Sequence, residues 1–254
     1  MMILDRIYDL ASPILAGRRI GEVRVGLNFL GVELDDGSLG LAYVLKEDVV
    51  SGCAAIPRAG RLTGMPAAEM ASWALERKSV IAVAAGLAVM NAVAEFDDAG
   101  QEGDRDEDAA FAVPTGPDDT VGVVGHIGPL IAGLRGKVRR LLVFERGKEA
   151  IGDVYPEAAE PQLLPECQVV FVSSTSLING TLDNLLGYCG KARDIVMVGA
   201  STPMYPAAFA GTGVTLLAGT KWLPENRDAI LTGISQCAGM KQLIGYGRKV
   251  SARV

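Results

Sequence analysis

Five short runs of branched and aromatic apolar residues recur along the second half of the chain, each followed by a turn rich in Gly, Ser or Thr and then a helical stretch. They fall at residues 120–124, 140–144, 168–172, 194–198 and 214–218. None alternates between apolar and polar positions, so each is expected to be a strand buried on both faces. Strands alternating with helices at this spacing require a parallel sheet with right-handed crossovers. Ligands of such sheets sit beyond the carboxyl ends of the strands, and that rule says where to look for chemistry.

The first half reads differently. Apolar residues Ile3, Leu4, Ile7, Leu10, Ile14 and Leu15 have helical spacing. The runs VRVGLNFLGVEL and SLGLAYVL flank Asp36-Gly37, a dipeptide that marks a hairpin. Residues 52–64 read as loop, Pro66 suits a helix first turn, and AAEMASWALERK continues it. Residues 79–93, SVIAVAAGLAVMNAV, are bounded by charges on both sides and are shorter than the roughly 20 residues that a bilayer requires. They are expected to form a buried helix. The first half is thus an α, β-meander, α-α unit of residues 1–96, and residues 120–254 form a second unit.

Between them, residues 97–119 hold nine acids against the single base Arg105, more negative than the whole chain at −6. This Gly-rich acidic stretch reads as a solvated linker. DRDEDAAF lacks the Gly and closing Glu of an EF-hand loop. Recruitment of a basic protein partner is a further use for it. No basic patch with interleaved aromatics appears, which argues against nucleic acid. No charged-then-apolar leader is present at the N-terminus, so the cytoplasm is the expected compartment and no membrane association is expected. Cys53, Cys167, Cys189 and Cys237 are widely spaced, and His126 is the only histidine. A site built from several Cys and His ligands is therefore not expected.

Candidate site residues follow from the strand ends. After the first strand, Gly122, Gly125 and Gly128 are spaced G-x-x-G-x-x-G, out of register with the dinucleotide fingerprint G-x-G-x-x-G. His126 in that turn is a candidate proton carrier or metal ligand. Glu145 ends the second strand, where a ribose-binding acid would fall. The third strand leads into SSTSLINGT, whose hydroxyls and amide exceed what capping by Thr181 with Asp183 or Asn184 would use. Ser201 and Thr202, stiffened by Pro203, stand at the end of the fourth. Lys221 at the end of the fifth would counter an anion, or simply lie at the surface.

The segments VGVVGHIGPLIAGL, LLVFERG, LLPECQVVFVSSTSLINGTLDNLL, VMVGASTPMYPAAF and GVTLLAG occur in the order found in the "putative heavy-metal chelation" family, which the chain resembles across most of residues 121–254. The helix ending AAGLAVMNA resembles that family's companion domain. The resemblance implies an α/β protein: an N-terminal α+β domain like the enolase N-terminal domain, followed by a Rossmann-like domain. It implies a ligand site in the cleft between them, lined by Thr175, Asn179, Thr181, Ser201, Thr202 and Pro203, with Asn91 approaching from the first domain. His126 and Ala200 depart from the family pattern, where an aromatic and a proline are usual.

Together these readings predict a protein that binds a small polar or metal-chelating ligand through Asn91, Gly125, Glu145, Thr175, Ser176, Asn179, Thr181, Ser201, Thr202 and Pro203, with His126 as the catalytic candidate. The oxygen-rich lining suits a hard divalent metal or a hydrogen-bonded ligand better than a soft metal. A nucleotide- or S-adenosylmethionine-dependent enzyme is the alternative. A homo-oligomer is compatible with either.

Overall fold

A computed structural model describes residues 1–50, 55–95, 113–147 and 151–254. Cys53 and most of the acidic segment, residues 97–112, lie outside the described residues. The fold is mixed α/β, with a three-stranded antiparallel sheet and a seven-stranded, mostly parallel one. The fold class expected from the sequence is the one found.

Helix α1 (Ile3–Leu15) buries Ile3, Leu4, Ile7, Ala11 and Leu15; of the stripe that helical spacing predicts, Ile14 is half-buried and Leu10 is exposed. It leads into β1 (Ile20–Val25), β2 (Phe29–Leu34) and β3 (Leu39–Tyr43), paired in that order, with Asp36-Gly37 in the turn between the last two. Gly37 takes φ +84, the left-handed conformation that this turn demands. Helix α2 (Ala67–Glu76) follows Pro66, and α3 (Val80–Ala92) is capped by Ser79, whose Oγ accepts from the Ala82 N–H. Every residue from Ile81 to Met90 is buried, so α3 is apolar all round because it is enclosed all round. Among the described residues no helix is long and apolar enough to cross a membrane.

The second half supplies β4 (Thr120–Val124), α4 (Gly128–Leu134), β5 (Arg140–Glu145), β6 (Val154–Pro156), α5 (Glu160–Leu163) and β7 (Val169–Ser173). Then come α6 (Thr175–Ile178), α7 (Leu182–Tyr188), β8 (Asp194–Val198), α8 (Pro206–Phe209), β9 (Leu216–Trp222), α9 (Arg227–Ser235), α10 (Met240–Leu243) and β10 (Gly247–Arg253). The spatial order is β10-β9-β8-β7-β4-β5-β6. All neighbours are parallel except β9 and β10. The five expected strands are present; the third is shifted by one residue, and the fifth starts two residues and ends four residues later than expected. Two edge strands were not expected: β6 is short and ends in a proline, and β10, GRKVSAR, is mostly polar. Edges with proline and charge resist further pairing, and those residues also hide the strand signal.

The two halves are packed together. The small sheet is covered on one face by α3, with α2 packed against α3, and a Cβ on Gly40 would lie 2.1 Å from the Ala88 carbonyl oxygen. Its other face meets α9, and Phe29, Leu39, Leu41, Trp222, Ile230, Leu231 and Ile234 form one apolar cluster. Arg227, at the start of α9, donates to Glu22 of β1 and Glu33 of β2, each at 2.7 Å. The Tyr205 hydroxyl donates to the Met90 carbonyl at 2.6 Å.

Candidate functional site

Strand order reverses between β4 and β7: the chain builds outward from β4 through β5 to β6, and from β7 through β8 in the opposite direction. The loops leaving β4 and β7 must therefore part, and a crevice opens beyond their carboxyl ends. A cavity of about 220 Å³ lies there. Val124, Gly125, Glu145, Ser173, Thr175, Ser176, Asn179 and Thr181 line it from the parallel sheet. The segment from Tyr43 to Glu47, which runs out of β3, closes it from the first half.

Each lining group has a local reason for its place. Gly125 adopts φ +92, and a Cβ there would sit 3.0 Å from the Ser173 Cβ. The glycine is needed for backbone conformation and for close approach of the β4 turn to β7. Ser173 and Thr175 hold each other through their hydroxyls at 2.8 Å. Asn179 Oδ1 accepts from the Thr181 N–H at 3.2 Å and from its hydroxyl at 2.9 Å. Thr181 therefore does not cap α7 with its side chain, contrary to the sequence expectation. Its hydroxyl is drawn back toward Asn179, a local side-chain bond that competes with capping. Ser176 is only 2% exposed and its Oγ has no hydrogen-bond partner among the described residues. Burying a hydroxyl without a partner costs free energy, and such a group is explained by something it will meet.

The acids are unevenly satisfied. Arg146, beside Glu145, is paired with Asp48, which raises its already high pKa further. Glu160, at the start of α5, is 7% exposed and borders the cavity, and its carboxyl has no hydrogen bond among the described residues. Burial pushes its carboxyl up to about 7, and the neighbouring Glu157 adds to the rise. Sequence reasoning missed Glu160, Glu157 and the Tyr43–Glu47 wall. Only Arg146 carried a signal, through its adjacency to Glu145.

Of the residues expected from the sequence, the structure brings Gly125, Glu145, Thr175, Ser176, Asn179 and Thr181 to this one cavity. Asn91, Ser201 and Thr202 lie elsewhere. Asn91 Nδ2 donates to the carbonyls of Leu41 (3.0 Å) and Ser201 (3.2 Å), and Ser201 Oγ accepts from the Tyr43 N–H at 2.6 Å. These side chains satisfy backbone groups where the two halves meet. Asn91 and Thr202 also border a second hollow, with Lys221 and Trp222. Pro203 is buried and His126 is exposed; neither lines the switch-point cavity.

A soft metal does not fit the donors in place. Cys167 and Cys189 are buried, and burial pushes both thiols up to about 12, so both stay protonated at neutral pH. Among the described residues no group of three or more His, Cys, Asp or Glu could hold a metal ion. The cavity presents carboxylates, hydroxyls and an amide, which suit hydrogen-bonded ligands.

Comparison with known proteins agrees with this architecture. The DUF364 model, described as "Putative heavy-metal chelation", matches residues 108–253, and the DUF4213 model, with the same description, matches residues 8–94. An uncharacterised protein of Methanocaldococcus jannaschii is 33% identical over 140 residues, which is 54% of this chain. The chain spans about half the length (53%) of that curated relative. A DUF364 protein of unknown function from Pyrococcus horikoshii superimposes with a TM-score of 0.77 at 24% identity, over 100% of both chains. One from Desulfitobacterium hafniense DCB-2 gives 0.73 at 22%, over 98% of this chain and 99% of that one. At these identities the likeness speaks for the fold. With more than half of its length matched by that family's model, the chain belongs to the DUF364 family, whose description is "Putative heavy-metal chelation".

Proposed function

We propose that the protein binds a small polar ligand in the switch-point cavity, with residues 1–96 and 120–254 acting as two units that supply opposite walls. The observation that carries this reading is a buried hydroxyl, Ser176 Oγ, with no hydrogen-bond partner among the described residues, on the same cavity as the buried residue Glu160. Thr175, Asn179 and Thr181 add donors and acceptors, and Glu145 adds a half-buried carboxylate. A metal in this setting would arrive as cargo inside a chelating ligand. A panel of hydroxylated, amine and carboxylate metabolites, with and without divalent ions, tests the proposal by thermal shift on the full chain. A true ligand at 100 times its Kd stabilises by about 2.7 kcal/mol. Its effect should disappear in Ser176→Val and in Glu145→Gln. Failure of every compound to shift the transition, or a shift unchanged in both variants, refutes the proposal.

The nucleotide reading is supported by one specific observation: Glu145 ends the second strand of a parallel sheet whose order reverses beside it. Against it, the cavity is below the roughly 300–1,000 Å³ of sites that enclose drug-sized ligands. Gly125 is also already accounted for by packing on Ser173. Calorimetric titration with NAD, NADP and S-adenosylmethionine decides: binding lost in Glu145→Ala favours it, and no heat for any of the three rejects it.

A further inference from the structure

We infer that the ligand of the switch-point cavity carries a positive charge, as an amine or similar organic cation, held by Glu145 and Glu160; this rests on the cavity being the binding site. Four carboxylates border it: Glu47, Glu145, Glu157 and Glu160. Two cations border it as well, Lys46 and Arg146, but Arg146 is already engaged by Asp48. Glu145, Glu157 and Glu160 form no ion pair among the described residues. An excess of unpaired carboxylates around a recess focuses negative potential into it.

Carboxylates alone would be an ordinary solvated rim. What distinguishes this set is burial. Glu160 is 7% exposed, and Ser176, on the wall of the same cavity, is 2% exposed with its hydroxyl unpartnered among the described residues. A buried carboxyl without a counter-charge is unfavourable in its ionised form, and an incoming cation supplies that counter-charge. The ammonium group of a small amine brings both a charge for the carboxylates and N–H donors for Ser176 Oγ and Thr175 Oγ1. A neutral polyol supplies only the donors, and an anion would be repelled by Glu145, Glu157 and ionised Glu160, which outnumber the cation Lys46.

The same arrangement predicts proton traffic. Near neutral pH the Glu160 carboxyl is partly protonated, because burial and Glu157 raise it. Cys189, packed nearby, stays a neutral thiol and adds no charge. A bound cation stabilises the ionised carboxyl, so binding expels part of a proton to the buffer.

The test uses matched pairs that differ in charge but little in size: putrescine with butane-1,4-diol, and ethanolamine with ethylene glycol, with succinate as the anionic control. Each is titrated calorimetrically into the full chain at neutral pH, in two buffers of different protonation enthalpy. At least one amine is expected to bind about tenfold or more tightly than its alcohol partner, a difference of about 1.4 kcal/mol. Its binding should release protons. In Glu160→Gln the release should vanish and the preference for the amine should shrink; Glu145→Gln should shrink the preference while keeping the release. A diol or succinate that binds as tightly as the amines, and loses its binding in Ser176→Val, overturns the charge assignment and leaves the binding site standing. No binding by either amine overturns the inference outright, whereas the site itself stands or falls on the wider panel.

Discussion

Glu160 is the side chain whose environment the structure perturbs most usefully, and its effect on stability can be worked out. Its carboxyl ordinarily titrates at 4.5, and in the folded protein it is pushed up to about 7 by burial first and by Glu157 second. Below pH 4.5 the group is protonated in the folded and unfolded chains alike and has no effect. As pH rises the unfolded chain ionises first, so the folded state holds the extra proton and loses stability progressively. The loss ends once pH passes the folded value. The difference, about 2.5 pH units at about 1.36 kcal/mol each, amounts to about 3 kcal/mol. The carboxyl faces the open cavity, where water screens it, so about 3 kcal/mol is an upper figure. Glu160→Gln keeps the shape of the side chain and cannot ionise. Urea unfolding of both proteins at pH 4.5, 6, 7 and about 8.5 reads the effect, and extrapolation errors of 10–15% leave a change this size visible. The variant should gain on the parent as pH rises, by up to about 3 kcal/mol in total, with the change confined to the interval between about 4.5 and 7. A difference that stays flat across that interval would show that the Glu160 carboxyl is solvated or neutralised by a partner, and would refute the reasoning.

Two glycines should respond to alanine with opposite signs. Gly40→Ala drives a Cβ to within 2.1 Å of the Ala88 carbonyl oxygen and 2.4 Å of the Ala92 nitrogen, both backbone atoms of α3, so a loss of about 3–5 kcal/mol or failure to fold is expected. Gly187→Ala, inside α7 with nothing within 4 Å, should instead stabilise by about 0.5–1 kcal/mol; thermal melts of the two variants check both signs. Arg227→Ala strands Glu22 and Glu33 side by side and should cost about 1 kcal/mol, since the pair is partly exposed, with the cost shrinking in high salt. A cost that is the same at low and high salt would mean that the Arg227 stem, rather than its charge, ties α9 to the small sheet.

How far the sequence could be read depended on whether a residue's role is local. The strands β4, β5, β7 and β8 were legible because a strand enclosed on both faces must be a continuous run of branched apolar side chains. The edges β6 and β10 obey no such demand, and VYP and GRKVSAR carry little signal. The same distinction divides the site. Glu145 ends β5, and Thr175, Ser176, Asn179 and Thr181 lie in the segment that follows β7, so the rule for parallel sheets pointed to them. Glu160 arrives from the crossover between β6 and β7, and its significance comes from burial beside Glu157, which no local pattern encodes. Asn91 and Ser201 stand away from this cavity. A polar residue destined for burial looks the same in sequence whether it will serve a ligand or a backbone group. Here the Asn91 amide nitrogen is spent on the carbonyls of Leu41 and Ser201, and the Ser201 hydroxyl on the Tyr43 N–H, while Asn91 Oδ1 and Thr202 Oγ1 have no hydrogen-bond partner among the described residues. Tyr43 also borders the cavity, at the point where the chain leaves β3. The Asn91–Ser201–Tyr43 bonds therefore fix the wall that faces Glu145 and Ser176, so these residues shape the site by positioning one of its walls.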